Sequence, residues 1–218
     1  MKTQIKLCGF KHIIWLCGFK HIEDINYASS LDIDYLGMIF VKNLPRTINK
    51  DVARAATKIC KDNNIKTVGV FLDQDATEIS EILKSVDLDV IQLHGNENIS
   101  DYYILNKPLI KRMSISEFMR NDPIHNSHHG CMYLIDSTNE QMQGGTGQSF
   151  DWNLLDGDIS PETLFIAGGL KPDNILDLLT LYTPHCVDVS SGIEYKVGHK
   201  DHALMSEFVN KVRTYNEE

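Results

Sequence analysis

Chemically useful groups follow several runs of β-forming residues along the chain. They are Cys8-Gly9 or its copy Cys17-Gly18, Pro45-Arg46, His94-Gly95, Asp136-Ser137, Gly168-Gly169, and Ser190-Ser191-Gly192. Thiol, imidazole and carboxyl groups are types that transfer protons in enzymes, and guanidinium groups and glycine-rich turns bind anions. These residues can act together only if the fold brings the ends of these runs to one place.

The runs alternate with helix-like segments. The predicted strands are Thr3–Cys8 or Ile13–Cys17, then Asp34–Phe40, Lys66–Leu72, Asp89–Leu93, Pro108–Met113, Cys131–Asp136, Leu164–Ala167 and Cys186–Val189. The clearest amphipathic segments are Asp51–Lys61, Ala76–Val86, Pro172–Leu181 and His202–Val212. This alternation predicts parallel strands joined by helices. Eight strands in 218 residues favour one α/β domain over 1–218, a (β/α)8 or TIM barrel. The alternative is an open flavodoxin-like or Rossmann sheet, but no GxGxxG motif follows the first strand.

In a barrel, the site lies where the strands end and the following loops begin. Glycine-rich turns after the seventh and eighth strands are a usual phosphate site, because backbone amides can approach the anion closely. Gly168, Gly169, Ser190, Ser191 and Gly192 fit both places. The alternative is that these residues only make tight turns. The loop Gly144–Gln148 is a further candidate, as a cover that excludes water.

Composition limits the class of protein. The net charge of −9 argues against nucleic acid or a membrane surface as a partner. Five widely spaced cysteines without a CxxC pair favour a reducing cytoplasm over a disulfide framework or a zinc site. The start of the chain lacks the apolar core of a signal peptide. We expect a cytoplasmic monomer or homodimer that binds a small molecule.

The heptapeptide LCGFKHI occurs twice, at Leu7–Ile13 and at Leu16–Ile22, joined by Ile14-Trp15. Two copies nine residues apart are too few and too close for a solenoid repeat. The pattern indicates a local duplication or insertion, natural or engineered.

Motifs along essentially the whole chain resemble the phosphoribosylanthranilate isomerase family of tryptophan biosynthesis. They are Lys6-Leu7-Cys8-Gly9, Gly37–Phe40 with Pro45-Arg46, Val68–Phe71, Gln92–Gly95, Leu134–Ser137, Gly144–Gly147 with Phe150–Trp152, Ala167–Leu170 and Asp188–Glu194. Their joint order and spacing are specific, although no single motif is decisive. One departure is Leu44, where the family usually has serine before Pro-Arg.

The resemblance implies an aldose–ketose isomerase that performs an Amadori rearrangement of N-(5-phosphoribosyl)anthranilate. The family's acid is the aspartate that ends the sixth strand, here Asp136, and its base is the cysteine that ends the first. Arg46, His94 and Asp188 match positions that line the substrate site. The resemblance also implies that no metal or organic cofactor is needed. Because a free thiol is protonated at neutral pH, we expect a nearby cation to lower the pKa of the cysteine, and we expect Asp136 to be buried.

The duplication leaves two candidates for the base, and both stay open. The spacing to Glu23-Asp24 favours Cys17. Lys6, two residues before Cys8 and on the same face of a strand, favours Cys8, because the second copy has Trp15 there and a barrel interior is tightly packed. On balance the lysine favours Cys8, which would place a nine-residue insertion in the loop after the first strand.

Two other functions remain open. One is a related aminoaldose isomerase of the histidine pathway, which uses two aspartates. The other is an inactive phosphosugar-binding barrel, whose mouth the inserted residues would block.

Overall fold

The fold is a closed barrel of eight parallel strands in sequential order. The structure, a computed structural model, describes residues 11–121, 131–136, 152, 164–182 and 184–217. The strands are β1 (Ile13–Leu16), β2 (Tyr35–Ile39), β3 (Lys66–Phe71), β4 (Val90–Leu93), β5 (Leu109–Met113), β6 (Cys131–Asp136), β7 (Leu164–Ala167) and β8 (Cys186–Val189). Pairing of β8 with β1, from Ile13 with Cys186 to Leu16 with Val189, closes the barrel. The predicted barrel is confirmed and the open sheet is excluded.

Helices follow most of the strands. They are α1 (Ile22–Ser29), α2 (Lys50–Asp62), α3 (Ala76–Leu83), α4 (Ile115–Asn121), α5 (Ile175–Leu181) and α6 (His202–Glu217), with 3-10 helices at Ile99–Leu105 and Ser191–Ile193. Two short antiparallel strands, β9 (Glu194–Lys196) and β10 (His199–Lys200), precede α6. The predicted helix start at Pro172 is wrong. The Asn174 side chain accepts from the Lys171 N–H and donates to the Gly169 carbonyl, which closes a turn before α5 begins.

The first strand of the barrel leads directly into the second copy of the repeat, with which it shares Leu16. Residues 1–10, including Cys8, lie outside the described part of the chain, and β1 is Ile13–Leu16. A first strand at residues 3–8 is therefore wrong, and so is a nine-residue insertion in the following loop, because α1 begins at Ile22. The physical reason is burial. Ile14, Trp15 and Leu16 are fully buried in the closed barrel, where the first copy would place Ile5, Lys6 and Leu7 and so bury a lysine.

Trp15 fits inside the barrel because Gly37 on the neighbouring strand β2 leaves room beside the end of its indole. The indole packs edge-to-face on Phe165, with ring centroids 6.2 Å apart, and lies 6.5 Å from the Tyr35 ring. A Cβ atom on Gly37 would lie 2.6 Å from both the Trp15 Nε1 and the Cys17 Sγ. The glycine thus makes room for the tryptophan and for the thiol above it.

Gly37→Ala is expected to lower the free energy of unfolding by about 1–3 kcal/mol, because overpacking a closed core forces side chains out of position. Urea unfolding of the two proteins measures the loss. In a Trp15→Phe background the loss is expected to be smaller, since the indole nitrogen is gone. Equal losses in both backgrounds would contradict the contact.

Candidate active site

The carboxyl ends of the strands form one mouth, and five of the predicted site residues lie there. Cys17 follows β1, Arg46 follows β2, His94 follows β4, Asp136 ends β6 and Asp188 lies in β8. The sequence separates these residues by up to 171 positions, and barrel closure brings them together.

Asp136 faces His94. The His94 Nε2 lies 3.7 Å from the Asp136 Oδ2, and the Asp136 side chain is only 11% exposed. The Gln92 side-chain amide donates to the His94 Nδ1 at 3.0 Å, which leaves the ring proton on Nε2, toward Asp136. Burial lowers the pKa of His94, while the Asp136 charge opposes that shift. The imidazole is therefore neutral at neutral pH and presents an N–H to the mouth.

Cys17 follows β1, three strands away from β4 and from β6, and a backbone hydrogen bond holds it in place. Its N–H donates to the Val189 carbonyl at 2.9 Å. Burial raises the pKa of the thiol well above its ordinary value, and the Asp188 carboxylate raises it further, while Lys200, the Gly18 N–H and Arg46 lower it. The predicted lowering of the thiol pKa is therefore wrong as a net effect, although two cations of the predicted kind are present.

Asp188 is a buried carboxyl group in β8 that interacts electrostatically with both Cys17 and Asp136. Burial raises its pKa well above the ordinary value, the Asp136 charge raises it further, and Lys200 opposes both. Its Oδ1 atom has no hydrogen-bond partner within the described residues. It pairs in register with Trp15, whose Nε1 also lacks a partner there.

Asp188→Asn is expected to lower the pKa of Cys17, because it removes the negative charge that disfavours the thiolate. The rate of Cys17 alkylation rises as the thiol ionises, so its rise should move to lower pH in the variant. Alkylation by iodoacetamide, followed by mass spectrometry of the peptide containing Cys17, measures the shift. A shift to higher pH, or none, would contradict this arrangement of charges.

Arg46, Glu194 and Lys200 form a triad beside Cys17. The Arg46 Nε and Nη2 groups donate to the two Glu194 carboxylate oxygens at 2.8 Å each. The Lys200 Nζ donates to the Glu194 Oε1 at 3.1 Å and to the Ser190 carbonyl at 2.9 Å. The bidentate face of Arg46 is thus occupied by Glu194, and only Nη1 makes no hydrogen bond to the described residues.

The turns after β7 and β8 touch each other. Gly168 and Gly169 have positive φ angles of 89° and 66°. A Cβ atom on Gly192 would lie 1.9 Å from the Leu170 carbonyl oxygen, so only glycine allows this approach. The turns containing the five predicted phosphate residues therefore lie side by side. The Gly144–Gln148 loop and Ser137 lie outside the described residues.

Sequence reasoning missed Gln92, Glu194 and Lys200 as site residues. Glu194 is the last residue of the motif Asp188–Glu194, but only its contacts with Arg46 and Lys200 indicate a role in the site. Lys200 lies 183 residues after Cys17 on a two-residue strand, and no pattern in the sequence links the two. No helix in the described part of the chain is long and apolar enough to cross a membrane.

The sequence matches a known family over most of its length. The model of the N-(5'-phosphoribosyl)anthranilate (PRA) isomerase family matches residues 14–211. The chain belongs to the PRA isomerase family. A PRA isomerase of Pseudomonas fluorescens is 34% identical over 209 residues, covering 95% of this chain and 97% of that relative. The family match begins inside β1, so it includes the second copy of the repeat and leaves out the first.

Solved PRA isomerases share the barrel. The PRA isomerase of Thermotoga maritima superposes with a TM-score of 0.80 at 27% identity, covering 93% of this chain and 99% of that chain. A PRA isomerase in complex with reduced 1-(o-carboxyphenylamino)-1-deoxyribulose 5-phosphate gives a TM-score of 0.76 at 25% identity, with the same coverage. The chain therefore shares its barrel fold with solved members of the PRA isomerase family.

Proposed function

We propose that Cys17 and Asp136 carry out the reaction of the PRA isomerase family, converting N-(5-phosphoribosyl)anthranilate into 1-(2-carboxyphenylamino)-1-deoxyribulose 5-phosphate. The observation that carries the proposal is the placement of a thiol after β1 and of a carboxyl group at the end of β6, at one mouth, in a chain of this family. A related barrel binds the reduced form of this ketose, which supports the choice of substrate.

Asp136 acts first, as the general acid. It donates a proton to the ring oxygen of the ribose, and the ring opens to a Schiff base as the anthranilate nitrogen supplies its electron pair. The neutral His94 beside it holds the carboxyl group and the substrate in place without competing for the proton.

Cys17 acts second, as the general base. Its thiolate removes the proton from C2 of the sugar, and the resulting enolamine tautomerises to the ketose. Because burial and Asp188 raise the pKa of Cys17, the thiolate is a minor species at neutral pH. The charges of Lys200 and Arg46 and the Gly18 N–H favour the thiolate and oppose these two effects.

The remaining residues bind the substrate. Gly168, Gly169, Ser190, Ser191 and Gly192 hold the phosphate through the turns after β7 and β8. Arg46 binds the anthranilate carboxylate through Nη1, the nitrogen that Glu194 does not engage. Asp188, which interacts electrostatically with both Cys17 and Asp136, holds the ribose hydroxyls or the amino nitrogen of the substrate.

We also propose that the protein is cytoplasmic and that it is a monomer or a homodimer. A base that must stay a free thiol suits a reducing cytoplasm, and the four cysteines in the described part of the chain are unpaired. A related PRA isomerase from Thermotoga maritima is described as dimeric and as yielding monomers. A monomer and a homodimer are therefore both compatible with the fold.

Loss of the fluorescence of N-(5-phosphoribosyl)anthranilate on adding the purified chain tests the proposal. We expect catalytic turnover and identification of the ketose by NMR. Turnover only of the histidine-pathway aminoaldose would instead identify a related isomerase. Phosphate-dependent binding without turnover of either compound would identify an inactive binding barrel.

A further inference from the structure

We propose that Lys200 is a positioning residue that holds a fixed positive charge beside the Cys17 thiolate and thereby stabilises the base. This inference rests on the proposed role of Cys17. Lys200 itself does not reach the substrate, because its side chain is 1% exposed. Its effect must therefore act through its neighbours.

The position of the ammonium group is fixed on several sides. The Nζ atom donates to the Glu194 Oε1 and to the Ser190 carbonyl, and it lies 5.3 Å from the centre of the Phe19 ring. A Cβ atom on Gly18, the residue after Cys17, would lie 3.5 Å from this nitrogen. The charge thus lies against the turn that carries the thiol.

Both cations of the triad contact Glu194, and Lys200 lowers the pKa of Cys17 more than Arg46 does. Arg46 and Glu194 form a bidentate pair whose charges cancel. Lys200 adds a second positive charge to this pair, so the triad carries a net positive charge that the loss of Lys200 would abolish. Burial lowers the pKa of Lys200, and contact with the Glu194 carboxylate opposes this and favours the charged form.

The other groups that face Cys17 do not replace this charge. Asp188 on β8 carries the opposite sign and disfavours the thiolate. The Gly18 N–H and Arg46 favour the thiolate, but Arg46 is paired with Glu194. Without Lys200, the Cys17 thiol would face the buried Asp188 carboxylate and an Arg46–Glu194 pair whose charges cancel.

Lys200→Met, which keeps the length of the side chain but removes its charge, tests the inference in the full-length protein. Cys17 alkylation by iodoacetamide is measured across pH, with the modified peptide quantified by mass spectrometry. We expect alkylation near neutral pH to slow by about tenfold or more, which corresponds to a rise of about one unit in the thiol pKa. Lys200→Arg should restore part of the rate.

Lys111→Met is the matched control. Lys111 is also a nearly buried lysine, and its Nζ donates to the Glu97 Oε2 and to the Gly95 carbonyl at 2.7 Å each. Lys111 does not contribute to the pKa shift of Cys17. Its loss should lower stability to a similar degree and leave the alkylation profile of Cys17 unchanged.

Two outcomes would overturn the inference. One is a folded Lys200→Met protein whose Cys17 alkylation profile matches the wild type. The other is an equal shift in Lys111→Met. Failure of the proposed function would look different, because the alkylation profile would shift in Lys200→Met while Cys17→Ser kept full isomerase activity.

Discussion

Asp136→Asn is expected to lower kcat for isomerisation by about 10²–10⁴-fold, the usual contribution of a general acid. The amide has the shape of the carboxyl group but cannot donate a proton to the ring oxygen. The assay is the loss of substrate fluorescence under saturating conditions. Because the phosphate turns and Arg46 do not involve Asp136, we expect KM to change much less than kcat.

Asp89→Asn is the matched control for that variant. The Asp89 carboxylate accepts from the Thr67 N–H at 2.7 Å and from its hydroxyl at 2.8 Å. It directly precedes β4 and so lies at the amino-terminal end of the barrel, away from the mouth. Its replacement should lower stability while turnover per folded molecule stays near the wild type. Comparable loss of kcat in both variants would contradict the role of Asp136.

Cys17→Ser is expected to lower kcat by about 10²–10⁴-fold, while Cys8→Ser keeps wild-type activity. A serine hydroxyl ionises far less readily than a thiol, so the base is lost although the side chain keeps nearly the same size. The two variants remove the same residue from the same heptapeptide, and only Cys17 follows β1 of the barrel.

Two outcomes of the cysteine variants would contradict the role of Cys17 as the base. Loss of activity in Cys8→Ser with retention in Cys17→Ser would mean that the first copy supplies the active strand. Full activity in both variants would mean that no thiol acts as the base.

Much of the fold could be predicted from the sequence, because local patterns of apolar residues and turn residues mark its strands. The strands from Cys131 to Asp136, from Leu164 to Ala167 and from Cys186 to Val189 were predicted to the residue, since each is an apolar run bounded by turn residues. The first strand was not predictable in this way. The two copies are identical over seven residues, and the deciding feature is Gly37 on the next strand, which admits Trp15.

The site was predictable where the chemistry follows the strand ends and not where it depends on contacts across the barrel. Arg46 was predicted as a substrate ligand, but no sequence pattern indicates that Glu194 engages two of its nitrogens. The sign of the Cys17 pKa shift was missed for the same reason. Desolvation and the charge on Asp188 depend on how the closed barrel encloses the thiol, and here they outweigh the cations.

Conversion of N-(5-phosphoribosyl)anthranilate by the full chain in D2O, with the product analysed by NMR, tests the central claim most directly. We predict a ketose at C2 that carries one deuterium at C1, because the thiol that receives the C2 proton exchanges with solvent before C1 is protonated. A ketose without deuterium at C1, formed at an unchanged rate by Cys17→Ser, would show direct transfer of hydrogen from C2 to C1 and would contradict proton removal by Cys17. Absence of any ketose would contradict the isomerase assignment itself.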